Sequence, residues 1–448
     1  MRFILGIVLL VGSLSGQSSD ITGTVIGTLQ QRSIALPDFR GAAGADAFAK
    51  TFNDTLWQEI SDSGGLKVIA KSLYPAIVPQ QPSDFRVGGA ALTDWSNPPA
   101  KANYLAFGYL SAQDPTTLVL FGWLYNVGQP DPASAQLFGR RYYGSLDADG
   151  AKKVARDFAA DILRQFNIKS LYGTSIYFVS DRTGQREIWS MDYDGENQRR
   201  LTNHRGNSKE PAVSPDAKLF AYTMLATRGR EKTPSWQIVV QSVETGKRLP
   251  FENPPAPTNS SPDFAPDGRH LLFASTLSGW AQIYISNLDG SDRRRLTNFE
   301  SIDVSPRVNP KTGRDILFIS GRSGKQQLWR MNIDGGDLEM LTNGEGEVAN
   351  PCWSPDGRLV AFAWTQGYEL GAFNIFVMDI ATHKPIQLTK DSGVNENPWW
   401  SPDGLHIVYS SRRGRSTEIF TMLGDGSNSR QLTNDGNNIQ PVWAPAIQ

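Results

Sequence analysis

Residues 351–362 read PCWSPDGRLVAF and residues 398–409 read PWWSPDGLHIVY. In each, a proline opens a short apolar stretch, a second proline and an Asp-Gly pair interrupt it, and a second apolar stretch follows. Asp supports a tight turn through its side-chain oxygen and Gly accepts positive φ, so the phrase reads as strand, hairpin turn, strand. Further copies are PAVSPDAKLFAY from Pro211, PDFAPDGRHLLF from Pro262, PRVNPKTGRDILF from Pro306 and the truncated PVWAP from Pro441. The leading prolines stand 51, 44, 45, 47 and 43 residues apart. A period near ~45 residues that contains several short strands is the spacing of propeller blades.

Each full copy continues into a second element, such as QIYISNLDG (282–290) or LWRMNIDGG (328–336), and then a strand ending in Leu-Thr-Asn at Leu201, Leu296, Leu341 and Leu432. That makes four short strands per copy. The two ends of the array are complementary. The first copy, residues 176–203, has three strands and lacks the proline-rich one, while Pro441–Pro445 supplies only that strand. Joined, they form one blade and close a ring of six, which removes the open sheet edges. The expected fold is therefore mainly β, a six-bladed β-propeller over 171–448, preceded by an α/β module over 17–170.

That module has no repeat. IALPDF (34–39) and LKVIA (66–70) read as strands around a helix from Ala45 to Ile60, and 103–110, 117–127 and 137–145 read as a meander before a helix from Ala151 to Phe166. Ahead of it, Arg2 precedes an apolar run from Phe3 to Val11 with small residues after it, the pattern of a signal peptide over 1–16. The run is too short for a bilayer-spanning helix of ~20 residues. Export to the periplasm as a soluble protein is the expectation.

Lys plus Arg number 44 and Asp plus Glu 45, so no positive excess exists for gripping nucleic acid. Cys352 is the sole cysteine, which excludes an intrachain disulfide and a cysteine zinc site. The four histidines show no ligand spacing, and His270 and His406 share one repeat slot that reads as a solvated strand start. Gly321–Lys325 lacks the full phosphate-loop spacing and reads as a hairpin turn, and no Gly-x-Ser-x-Gly elbow occurs. Asp192-x-Asp194 and Asp147-x-Asp149 read as turns rather than calcium loops. Trp353, Trp400 and Trp443 share a slot suited to packing between blades. No catalytic, cofactor or metal residue is expected.

What is left is surface. The loops leading into each inner strand gather at one channel mouth and contribute Lys209, Glu210, Asn259, Ser260, Asp303, Asn350, Asn395, Glu396, Asn397, Asn438 and Gln440. A polar, amide-rich rim of this kind suits a protein partner.

The signal peptide, the α/β module and the WSPDG-type array closed by a C-terminal strand together resemble the TolB family of the Tol-Pal system. Ile34–Phe39 matches that family's first apolar strand, Asn167–Lys169 followed by Ile176–Val179 its domain junction, and Asp192–Gln198 its first blade turn. The resemblance implies a non-enzymatic, monomeric periplasmic adaptor that binds the lipoprotein Pal through the propeller and TolA through the N-terminal region. It also implies a role in outer-membrane integrity and in envelope constriction at cell division. The alternative class is a propeller hydrolase or lactonase holding a metal ion in its channel.

Overall fold

The computed structural model describes residues 32–447, apart from Ala43, Arg205, 229–232 and Asp391. The signal peptide expected over 1–16 and the segment up to Gln31 lie outside the described residues. From Ser175 onward six four-stranded antiparallel sheets follow one another. The seam blade pairs the inner strand Asn438–Ala444 with Ser175–Ser180, in the register Asn438↔Ser180 and Ala444↔Ser175, and continues outward through Glu187–Asp192 and Arg199–Arg200. The inner strands of blades two to six are Ser208–Val213, Asn259–Phe264, Asp303–Val308, Val348–Trp353 and Val394–Trp400. An apolar cluster fills each gap between neighbouring blades; Leu317, Phe318 and Trp353, for example, are at most 5% exposed. Each inner strand is thus held by two clusters, which is why ring closure stabilises far more than one strand's own hydrogen bonds.

The repeated words have specific jobs. In Ser-Pro-Asp-Gly, the serine hydroxyl accepts the N–H that starts the next strand, as Ser354 does from Leu359 at 2.9 Å and Ser401 does from His406 at 3.0 Å. In Leu-Thr-Asn, the threonine hydroxyl accepts a backbone N–H of the third strand: Ile188 to Thr202 at 2.9 Å, Ile283 to Thr297 at 3.0 Å, Leu328 to Thr342 at 2.9 Å and Ile419 to Thr433 at 2.9 Å, and Thr389 of Leu388-Thr389-Lys390 accepts from Ile375 at 2.9 Å in the same way. Blade two lacks the phrase, and there the Asn253 side chain accepts from Ile238 at 2.8 Å instead. Buried backbone donors must be matched, and a polar residue recurs wherever the sheet leaves one over.

The N-terminal module is a six-stranded mixed sheet with the long helices Asp46–Asp62 and Ala148–Gln165 on one face. The stretch 34–39 is not one strand: Ser33–Ala35 and Arg40–Ala42 pair separately with Tyr104–Asp114. Pro37 interrupts the ladder, because proline has no N–H to give. The freed groups find side chains, with Leu36 N–H donating to Tyr74 at 2.9 Å and Phe39 N–H to Asn53 at 2.9 Å. Asp147 caps the second long helix, accepting from Gly150 N–H at 2.7 Å, so this pair of carboxylates starts a helix rather than forming the turn expected for it. Among the described residues no helix is long and apolar enough to cross a membrane.

Candidate functional site

All eleven rim residues lie within the inner strands, not in loops before them. The segments after Leu-Thr-Asn make the crossing between blades, so the polar residues further on have already entered the sheet. Asn259, Asp303, Asn395 and Asn438 are completely buried. Their side chains bind the scaffold: Asn259 accepts from Ser275 at 2.7 Å, Asp303 pairs with Arg322 at 2.8 Å, Asn395 donates to the Gly393 carbonyl at 3.2 Å and Asn438 donates to Glu418 at 2.8 Å. Ser260 is buried as well. These five cannot form a rim. Lys209 and Glu396 are partly buried; the Lys209 ammonium lies 4.6 Å from the Trp236 ring centre, and burial raises the Glu396 carboxyl while Arg412 lowers it less.

The remaining four, Glu210, Asn350, Asn397 and Gln440, do line the channel. Ser261 and Ser305 complete their ring and were missed by the sequence reading. These six residues each stand immediately before a leading proline, and that position was the available signal. All six adopt φ between 53° and 55°. Each sits in a bulge where the register skips two residues, as between Val304 and Arg307. Repeated six times, this strained turn brings six polar residues round the axis.

Just past the prolines the channel wall is asymmetric. Arg307 of blade four reaches the Trp399 ring of blade six, its guanidinium carbon 5.1 Å from the ring centre. Asp263 of blade three accepts from Val308 N–H at 3.0 Å and lies 3.7 Å from Arg307. Burial pushes its carboxyl up to about 6 against the opposing pull of Arg307 and that N–H. Cys352 is buried beside them, and burial pushes its thiol up to about 12, so a reactive thiolate is absent at neutral pH. Among the described residues, no group of three or more His, Cys, Asp and Glu side chains is placed to hold a metal. Trp353, Trp400 and Trp443 are buried in packing, at 5%, 2% and 4% exposure.

A second polar centre lies at the opposite end of the propeller, where the N-terminal module docks. His406 is buried, contrary to the solvated slot expected for it. Its Nδ1 faces Asp403 at 2.7 Å and its Nε2 faces the backbone carbonyl of Asp62, on the last turn of the first long helix, at 2.6 Å. Both neighbours are acceptors, so the ring fits here with a proton on each nitrogen. Burial pushes the imidazole down, but Asp403 and the helix-end contacts together outweigh it and raise it above its ordinary value. Leu405 packs into the module's core. A second bridge joins Arg156 to Asp194 and Glu59, with Tyr193 donating to Glu59; burial raises the Glu59 carboxyl. A cavity of about 360 Å³ lies between these two bridges. The signal for this joint was a broken repeat: Lys218, Arg269, Arg314 and Arg358 occupy the slot that Leu405 fills.

A family model described as the TolB beta propeller domain matches residues 164–447. The chain belongs to the TolB propeller family. A protein TolB homolog of Chlorobium chlorochromatii is 34% identical over 176 residues, 39% of this chain and 37% of that protein. The Tol-Pal system protein TolB of Geobacter sulfurreducens is 31% identical over 189 residues, 41% of this chain and 40% of that protein. The matched stretch therefore spans less than half of either TolB relative. The crystal structure of TolB from Acinetobacter baumannii superposes with a TM-score of 0.73 at 23% identity, covering 93% of this chain and 97% of that one, so module and propeller share its fold.

Proposed function

We propose that the protein is a non-enzymatic periplasmic adaptor of the Tol-Pal type, monomeric, binding Pal at the channel mouth and TolA through its N-terminal region. In this reading it holds Pal-linked outer membrane in register with the envelope and supports integrity and constriction at division. The observation that carries the reading is the ring of six pre-proline residues, which sets directed donors and acceptors around the channel. The names of the relatives point the same way. Residues 17–31, on which the TolA contact depends, lie outside the described residues.

The rival, a hydrolase with a channel metal, has to place a cation in the channel that already holds the Arg307 guanidinium. Like charges at such range repel strongly in a low-dielectric wall. Two measurements separate the readings. The mature protein used as bait in an envelope extract should retain Pal, identified by mass spectrometry, and elemental analysis should find less than one bound metal per chain. Stoichiometric metal without Pal would put the rival first.

A further inference from the structure

Around the channel, the pre-proline residues interlock in one direction. The N–H of Glu210 donates to the Gln440 side chain of the preceding blade at 2.8 Å, and the N–H of Ser261 donates to the Glu210 carboxylate at 2.8 Å. In both cases a long side chain crosses to the next blade and supplies an acceptor. Thr223 holds the Glu210 carboxylate from the other side at 2.9 Å. Among the described residues no side chain crosses to the N–H of the other four stations; at the first two of these, Ser261 and Ser305 are too short to reach, and farther round the Asn397 side chain accepts from Ser410 instead. Ser305 and Asn350 share the same backbone turn, φ 55° and 53°, and the register leaves them out of the ladder in the same way. Among the described residues, neither N–H donates to a side chain across the ring. The channel void of about 50 Å³ is lined by all six stations, and Arg307 lines it beside Ser305. Arg307 gives Nη1 to the Pro306 carbonyl at 3.0 Å, while its buried Nε has no partner.

We infer that this gap, over Ser261 and Ser305 and beside Arg307, is a carboxylate-binding subsite filled by an acidic side chain of the protein partner. The partner's carboxylate supplies the acceptor that Glu210 and Gln440 supply at their own stations. Backbone N–H groups converging from a left-handed turn form an anion nest, and a guanidinium beside them adds a charge-assisted donor. The inference rests on the channel-mouth reading above and gives it a specificity: a partner loop lacking the acidic residue binds weakly. The Asp263 carboxylate, which accepts from Val308 N–H at 3.0 Å, lies 3.7 Å from Arg307 and shares its guanidinium with the incoming carboxylate.

The test has a part that needs no partner. Crystals of the mature protein soaked in sodium bromide should show an anomalous peak beside Ser305 and Asn350. Ser305→Gln, which gives this station the side chain Gln440 has at φ 53°, should fill the gap from within and abolish the peak with no loss of melting temperature. The same variant and Arg307→Gln should each raise the Kd for Pal by about tenfold or more, the loss of a charge-assisted hydrogen bond. A peak with Pal affinity unchanged in both variants overturns the partner assignment and leaves a free-anion site. Absence of the peak overturns the subsite itself. If wild-type protein does not bind Pal, the adaptor reading fails, while a peak lost in Ser305→Gln still upholds the anion cradle.

Discussion

The turns Asp267–His270 and Asp403–His406 occupy the same slot of the repeat in blades three and six, and the structure uses them differently. In the first, His270 faces Asp267 at 2.6 Å with both side chains more than 40% exposed. In the second, the same pair at 2.7 Å is 7% and 2% exposed, and the other ring nitrogen reaches across to the module. The chemistry is shared and the burial is not. Hydrogen bonds of an exposed pair compete with water, whereas those of a buried pair cannot be replaced. Periodicity therefore builds the scaffold, and a change of context at one copy turns a scaffold turn into a joint.

The largest expected effect tests the scaffold on which the comparison stands. Deleting 438–448 removes the inner strand of the seam blade and exposes the apolar clusters on both sides of it. The loss should be a large part of the ~5–15 kcal/mol typical of a domain. A thermal melt should show the cooperative transition lowered by tens of degrees or absent, and a wild-type melting temperature would end the closed-ring account.

Next comes the joint. His406→Ala removes two buried hydrogen bonds and takes from Asp403 its charged partner, at about 2–4 kcal/mol, while His270→Ala should stay within about 0.5 kcal/mol. Denaturant unfolding of the two variants side by side measures the contrast; equal losses would erase it. Leu405→Arg, the residue type that sister turns carry, should separate module from propeller with both still folded. Solution scattering should then show a larger radius of gyration with unchanged circular dichroism.

A smaller effect is the pH dependence. Because folding raises the His406 pKa, its contribution is fully present below the unfolded value of about 6.5 and is lost as pH rises through the folded value. Asp403 is lowered, burial opposing but His406, Ser401 and the Leu405 N–H prevailing, so its share disappears as pH falls through its folded value. Stability measured across pH should decline on the alkaline side in wild type more steeply than in His406→Gln. Superimposable curves would remove the charged latch.

The comparison also marks what the sequence could reveal. The six blades, the seam and both long helices followed from spacing, because the repeated Ser, Asp-Gly and Thr are tied to backbone groups within their own blade. The polar rim did not follow. Asn259, Asp303, Asn395 and Asn438 look like surface amides and acids, yet each finds its partner on a neighbouring strand or turn. The register bulge that turns Glu210 and Gln440 into the channel is a matter of strand pairing, marked in the sequence only by the proline that follows each of them. Leu405 was legible only as an exception to the repeat, and the burial of His406, which shares its slot with His270, was not legible, since its partner Asp62 lies 344 residues earlier in the chain.

The central claim is that a protein partner, Pal, docks on the pre-proline ring. Asn350→Arg tests it most directly, placing a long side chain over the mouth from a residue that lines the channel and has no part in the joint. Calorimetric titration of the purified variant with Pal should show affinity reduced by a factor of about a hundred or more, a cost of about 2.7 kcal/mol, with the melting temperature within a few degrees of wild type. Wild-type affinity in this variant would contradict the account and move Pal off the channel mouth.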